Sequence, residues 1–171
     1  MIKFESEKSL ENFIVDQFKV DKKCIINDEN YDSCISQFSF GDYGIPDLIF
    51  HSKEDVNGED FITIHIVELK NEQIKPKDIA QISRYKTYIE KMMEDSDLNI
   101  DLKCSLVVPE GVSSNSDACY LINACEDSID VYEFCLNPTK GIEFTMMYGF
   151  HKTKSSSDQF EKLINTIKKG F

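Results

Sequence analysis

Phe61-Ile-Thr-Ile-His-Ile-Val-Glu-Leu-Lys70 is the stretch from which the fold follows. The apolar run from Phe61 to Val67 is too short for a typical helix and rich in β-branched residues, so it reads as a strand buried on both faces. Residues two apart in a strand share a face, so Glu68 and Lys70 leave its end side by side. A carboxylate and an ammonium placed together there point to chemistry.

Upstream, a polar segment from Lys53 to Asp60, carrying Asn57-Gly58, predicts a hairpin loop back to a strand over Ile45-Pro-Asp-Leu-Ile-Phe50. Gly41-Asp-Tyr-Gly44 reads as a turn, and Cys24-Ile-Ile26 and Ile35-Ser-Gln-Phe-Ser-Phe40 as short strand material. Leu10, Phe13, Ile14 and Phe18 recur at helical spacing over about residues 5–19. Downstream, Pro76 opens a helix whose apolar stripe is Ile79, Ile82, Ile89 and Met93, with Gln81, Arg84, Tyr85 and Tyr88 on the neighbouring face. A buried strand over 102–108, a short helix over 116–125 and a strand over 129–136 follow. After Asn137-Pro-Thr-Lys-Gly141, alternation in Ile142, Phe144, Met146, Tyr148 and Phe150 predicts an edge strand, and Phe160, Leu163, Ile164 and Ile167 a final helix from about 157. No internal repeat or long linker interrupts this, so residues 1–171 are expected to form a single α/β domain.

A chain of 171 residues can bury about two-thirds of its unfolded surface. Its apolar stretches are short and broken by charge, which indicates neither disorder nor a membrane span, and no secretory leader pattern follows Met1. A cytoplasmic location is expected. The six cysteines include no CxxC pair and are expected to be mostly reduced core residues. The net charge of −12 disfavours nucleic acid until it is divided along the chain. Residues 1–69 hold six basic and fifteen acidic side chains, whereas residues 70–91 hold six basic and three acidic. The basic island, with Lys75, Lys77, Arg84 and Lys86 as candidate phosphate contacts, contains the presumed site.

Pro46 removes an amide donor and bends its strand, which can bring Asp47 beside Glu68. Two converging carboxylates repel unless a hard divalent cation lies between them, and Mg²⁺ takes one or two carboxylates with water. The carbonyl of Leu69 is a candidate third ligand. Lys70 would orient an attacking water and offset charge growing on phosphate. A lowered pKa is expected for it beside a metal. Glu7 is the candidate acid from the first helix, equally readable as a first-turn glutamate, with Glu11 as the alternative turned farther from the stripe. Gln81 and Tyr85, one helical turn apart, offer a phosphate-facing wall of an amide and a hydroxyl. The three histidines show no metal spacing, and His65 reads as a satisfied core residue.

The set Glu7, Gly44-Ile-Pro-Asp47, Ile66-Val-Glu-Leu-Lys70 and Asp78-Ile-Ala-Gln-Ile-Ser-Arg-Tyr85 resembles the PD-(D/E)XK nuclease superfamily, in its branch with a Q-x-x-x-Y helix motif, nearest to NucS-type and RecB-like nuclease domains. The likeness covers roughly residues 4–136. It implies a restriction-endonuclease-like αβββαβ core, a central mixed sheet flanked by helices, to which residues 137–171 add a strand and a helix. It also implies Mg²⁺ or Mn²⁺ held by Asp47 and Glu68, with Lys70, Gln81, Tyr85 and Glu7 completing the catalytic set. The implied reaction is phosphodiester hydrolysis by a metal-activated water, on DNA ahead of RNA. Some relatives carry an iron–sulfur cluster, but the cysteine spacing here lacks a tight ligand pair. The competing expectation is a catalytically inactive subunit of the same fold whose acidic surface meets a protein partner; pairing with a second copy is also left open.

Overall fold

The computed structural model describes residues 4–94, 96, 98–111, 117, 120 and 129–147. Helix α1 (Glu7–Asp21) starts at Ser6, whose hydroxyl accepts from the amide of Ser9, and ends at Lys22 in the left-handed region. It buries Leu10, Glu11, Ile14 and Phe18. Strands β1 (Lys23–Cys24) and β2 (Glu29–Asn30) form a small antiparallel ribbon. Then come β3 (Ser33–Ser36), a 3-10 turn at Gly41–Tyr43, β4 (Leu48–Val56), β5 (Glu59–Leu69), helix α2 (Pro76–Glu94), β6 (Asn99–Pro109), β7 (Asp130–Asn137) and β8 (Gly141–Met146). Strands β3 to β8 make one six-stranded sheet in chain order, in which β5, β6 and β7 run parallel and the outer pairings are antiparallel. The αβββαβ order and the mixed sheet flanked by helices are those expected.

Each face of the sheet carries its own helix. Strand alternation sends Ile49, Ile66, Cys104, Leu106 and Val108 toward Ile79, Ile82 and Tyr85 of α2. The intervening residues Leu48, Phe50, Val67, Leu69 and Val107 pack with Leu10, Ile14 and Phe18 of α1. This parity decides the site. Glu68 and Lys70 follow Ile66 on the α2 face, and Asp47 precedes Ile49 on the same face, one step beyond the Leu48–Val67 pair.

The hairpin is tighter than its composition suggests. The segment Lys53–Asp60 is not a loop: β4 and β5 continue through it as an exposed ribbon, leaving a two-residue turn at Asn57 (φ 59°) and Gly58 (φ 87°). Charged residues are at home there because ladder pairing needs no burial at the ribbon's tip. Strand β3 is shorter than the segment 35–40, since Gln37 adopts a positive φ and leaves the ladder. The helix expected over 116–125, apart from helical residues 117 and 120, the terminal helix and the end of the last strand at Tyr148 and Phe150 lie outside the described residues. Among those described, no helix is long and apolar enough to cross a membrane.

His65, on the α1 face, is fully partnered: the Tyr31 hydroxyl lies 3.1 Å from Nδ1 and Ser105 Oγ 2.6 Å from Nε2, and burial pushes its pKa down to about 4. Cys24, Cys34, Cys104 and Cys135 are free thiols, and burial raises the first three to about 11, 12 and 12. Cys119 and Cys125 lie outside the described residues.

Candidate active site

The site lies at the carboxyl end of β5, where α2 departs for the parallel strand β6. Glu68 is almost fully buried, and its Oε1 accepts a 2.6 Å bond from Lys70 Nζ. The shared face read from the spacing is thus the observed one. Asp47 enters from the loop before β4; its Oδ2 accepts from the amide of Leu69 at 2.8 Å. That bond ties the two acid-bearing segments together at main-chain level. Glu68 Oε2 is buried and has no hydrogen-bond partner.

Burial raises the Glu68 carboxyl to about 7, and the nearby Asp47 charge adds to the rise against Lys70. Asp47 also lies above its ordinary range, through burial first and then the charges of Glu11 and Glu7. The lowered pKa expected for Lys70 belongs to the metal-bound site; without the ion the balance runs the other way. Burial does pull it down, but its bond and charge interaction with Glu68 outweigh that and hold it above its usual value. In this state the ammonium is the counter-ion of the carboxylate pair.

Helix α1 contributes two acids. The sequence 7, 11, 14, 18 is itself a helical stripe, so Glu7 and Glu11 both reach the site side of α1. Glu7, at the exposed end, accepts from the Asn71 amide at 3.2 Å. Glu11 is buried, contrary to the expected turn away, and its oxygens receive Lys8 Nζ at 2.6 Å and Gln37 Nε2 at 3.0 Å. The same Gln37 nitrogen lies 3.3 Å from Asp47 Oδ1, and the Gln37 amide donates to the Asp47 carbonyl at 3.2 Å. Gln37 is the residue missed in the sequence. It is a polar residue in an apparent strand, and only its positive φ of 55°, invisible in composition, turns it toward Asp47.

Tyr85 is not part of a phosphate-facing wall. It is only 1% exposed; its hydroxyl donates to the Ile45 carbonyl at 2.9 Å and accepts from Gln81 Nε2 at 2.8 Å. The ring also abuts Gly44, where an added Cβ would come within 2.9 Å of Tyr85 Cε1 and where φ is +112°. Tyr85 therefore locks the loop that delivers Asp47. Removing the hydroxyl in Tyr85→Phe takes the donor from the Ile45 carbonyl, with an expected loss of about 1 kcal/mol of stability. Any catalytic activity should fall roughly tenfold or more as Asp47 loses registration. Urea unfolding alongside kcat and KM measurements checks this; a Tyr85→Phe protein with unchanged kcat excludes the locking role.

Beside the acids, a polar cleft of about 470 Å³ is lined by Glu7, Lys70, Lys75, Lys77, Gln81 and Arg84 among others. The structure thus gathers three of the four candidate phosphate contacts. Lys75 is paired with Glu72 at its rim. Lys86 is not brought there: at 100° per residue it is turned away from Arg84, pairs with Glu90 at 3.2 Å and lies near Cys104. Asp78 is buried and accepts from the Lys75 amide at 2.8 Å, which caps α2 one residue before Pro76.

Among the described residues no group of three His, Cys, Asp or Glu side chains converges to hold a metal. A cation here would have two carboxylates and would complete its shell from main chain and water. The donor set suits a hard cation all the same: the unpartnered Glu68 Oε2 and the Asp47–Glu68 repulsion are what a divalent ion would satisfy.

No family profile and no curated protein matches the chain. Two solved structures are similar to it. One, described as the structure of an EndoMS–dsDNA2 complex, is 17% identical with a TM-score of 0.49, covering 78% of this chain and 46% of that one. The other, a repair endonuclease from Pyrococcus abyssi, is 20% identical with a TM-score of 0.45, covering 78% and 48%. The chain therefore spans about half the length of the solved chains it matches.

Proposed function

We propose that this chain is a cytoplasmic, divalent-metal-dependent nuclease that hydrolyses phosphodiester bonds of nucleic acid, DNA ahead of RNA. The observation that carries the reading is the buried, unpartnered Glu68 Oε2 in the field of Asp47, with Lys70 bonded to the other oxygen. A structural ion pair would satisfy both oxygens; a buried half-satisfied carboxylate costs stability that an ion site recovers. Asp47 and Glu68 would hold Mg²⁺ or Mn²⁺, with the Leu69 carbonyl as a main-chain donor. When bound, the ion supplies Lewis-acid polarisation of the phosphate and lowers the pKa of water.

The chain's own groups supply the rest. Lys70, protonated and largely sheltered, offers a fixed positive charge to the phosphate oxygens and a donor to orient the attacking water. Gln81 spends one amide hydrogen on Tyr85 and lines the cleft, leaving its other hydrogen and its carbonyl for phosphate oxygen or water. Glu7, at the cleft rim, accepts a water proton as the water oxygen bonds to phosphorus. The bond to the ester oxygen then breaks, and that oxygen leaves with a proton from solvent.

Incubation of the protein with single- and double-stranded DNA and RNA, in Mg²⁺, Mn²⁺ or chelator, tests the proposal. Cleavage is expected with either ion and is abolished by chelation. Pure, folded protein that cuts none of the four substrates in either ion overturns the reading in favour of a non-catalytic subunit with an acidic interaction surface.

A further inference from the structure

The polar cleft does not end at Gln81. It meets a second concavity of about 570 Å³, with mostly apolar walls, between α2 and the 3-10 turn; Asp42, Tyr43, Ala80, Ser83, Arg84 and Thr87 line it, and Arg84 lines both. The charge pattern beside these hollows is unusual for this chain. Most of its described lysines are paired with acids, and the cations that make no ion pair with a described residue are Lys22, Lys77, Arg84 and Lys91. Lys22 lies over the Phe18 ring, away from the site. The other three recur every seven residues of α2, two helical turns and about 10.5 Å apart, on one line. That line runs from the cleft, past Arg84, to Lys91, whose Nζ bonds the hydroxyl of the groove-lining Tyr43 at 3.0 Å and lies 5.5 Å from its ring centre.

We infer that the α2 groove is a track for a single strand of nucleic acid leaving the cleft, resting on the nuclease reading for the cleft itself. Phosphates lie over Lys77, Arg84 and Lys91, and one nucleoside occupies the groove. The apolar walls suit a base and sugar, and the volume lies within the range of sites for small molecules. In a chain of net charge −12, cations left unpaired on one line are where an anionic strand gains most. The partner is a strand with unpaired bases, since a duplex has no free base to place against Tyr43.

Fluorescence anisotropy of a labelled oligothymidylate with the whole chain in chelator, where nothing is cut, tests the track. Arg84→Ala and Lys91→Ala are each expected to weaken binding about tenfold and to lower the salt slope by about one phosphate. Ala80→Trp, which fills the groove from an exposed helix position, weakens it comparably, whereas Lys22→Ala leaves it unchanged. Circular dichroism confirms folding of each. Equal affinities for wild type, Arg84→Ala, Lys91→Ala and Ala80→Trp overturn the track, and so does a duplex of the same length that binds more tightly than the single strand. Hydrolysis of bis(p-nitrophenyl) phosphate by wild-type protein in Mn²⁺ reports separately on the proposed function, so failure of one is not failure of the other.

Discussion

Asp47→Asn is expected to abolish metal-dependent cleavage, a loss of about a thousandfold or more, while the protein remains at least as stable as wild type without metal. The two effects separate because Asp47 plays two parts. Its Oδ2 accepts from the Leu69 amide, and an asparagine oxygen can accept the same bond. Its charge, by contrast, raises the Glu68 carboxyl and is itself destabilised by burial, so removing it relieves the fold. Lys70→Ala is expected to lose cleavage to a similar degree with the opposite stability signature. Glu68 then loses its 2.6 Å partner and remains as an uncompensated buried acid, a change that costs roughly 3–5 kcal/mol. Because Lys70 also competes with a cation for Glu68, calorimetric titration should show Mn²⁺ binding retained or tightened in Lys70→Ala and lost in Asp47→Asn. Two variants that bind Mn²⁺ alike and cut like wild type would remove both residues from the site.

The division between what could and could not be read ahead of the structure follows the range of the physical signal. The strand 61–69, the helix from Pro76 and the convergence of Asp47, Glu68 and Lys70 rest on periodicity and parity, which are local and survive folding unchanged. Asp47 and Glu68 share a face because 47 and 49 have one parity and 66 and 68 have one, and the pairing of Ile49 with Ile66 joins them. The errors fall where a side chain has a choice of partner. Glu11 turned inward because Gln37 and Lys8 were there to meet it, and Gln37 was there only through a left-handed backbone residue outside any pattern. Tyr85 stands at a position that alternation and helix phase assign to the site, yet its hydroxyl is consumed by the Ile45 carbonyl, a contact set by the depth of Gly44. Lys86 is close to Arg84 in sequence but not in space; helix phase, applied residue by residue, turns it away and places Lys91 on the Lys77–Arg84 line. The ribbon at Asn57-Gly58 shows the remaining weakness: charged residues look like loop until the pairing that keeps them extended is seen.

Stability of the metal-free protein is expected to fall, relative to Glu68→Gln, as pH rises from about 4.5 to about 7. Burial and the Asp47 charge place the Glu68 carboxyl at about 7 in the folded chain against 4.5 for the free group, so between these values the native state binds the extra proton. The proton-linked stabilisation is complete below 4.5 and lost as pH passes 7, which amounts to about 3 kcal/mol for a buried group of this shift. Glu68→Gln keeps an acceptor for Lys70 but cannot titrate, so the difference between the two proteins isolates this group from the other carboxylates. Mn²⁺ should reverse the trend in wild type alone. At pH 8 the carboxylate is charged and an ion at a hundred times its Kd adds about 2.7 kcal/mol, whereas at pH 5 the proton holds the same oxygens and the addition shrinks. Urea unfolding of both proteins at pH 5, 6, 7 and 8, with Mn²⁺ and with chelator, checks each step. A wild-type curve that stays parallel to that of Glu68→Gln across the window, with no Mn²⁺ increment at pH 8, means that Glu68 is a satisfied structural residue and that no ion is held there.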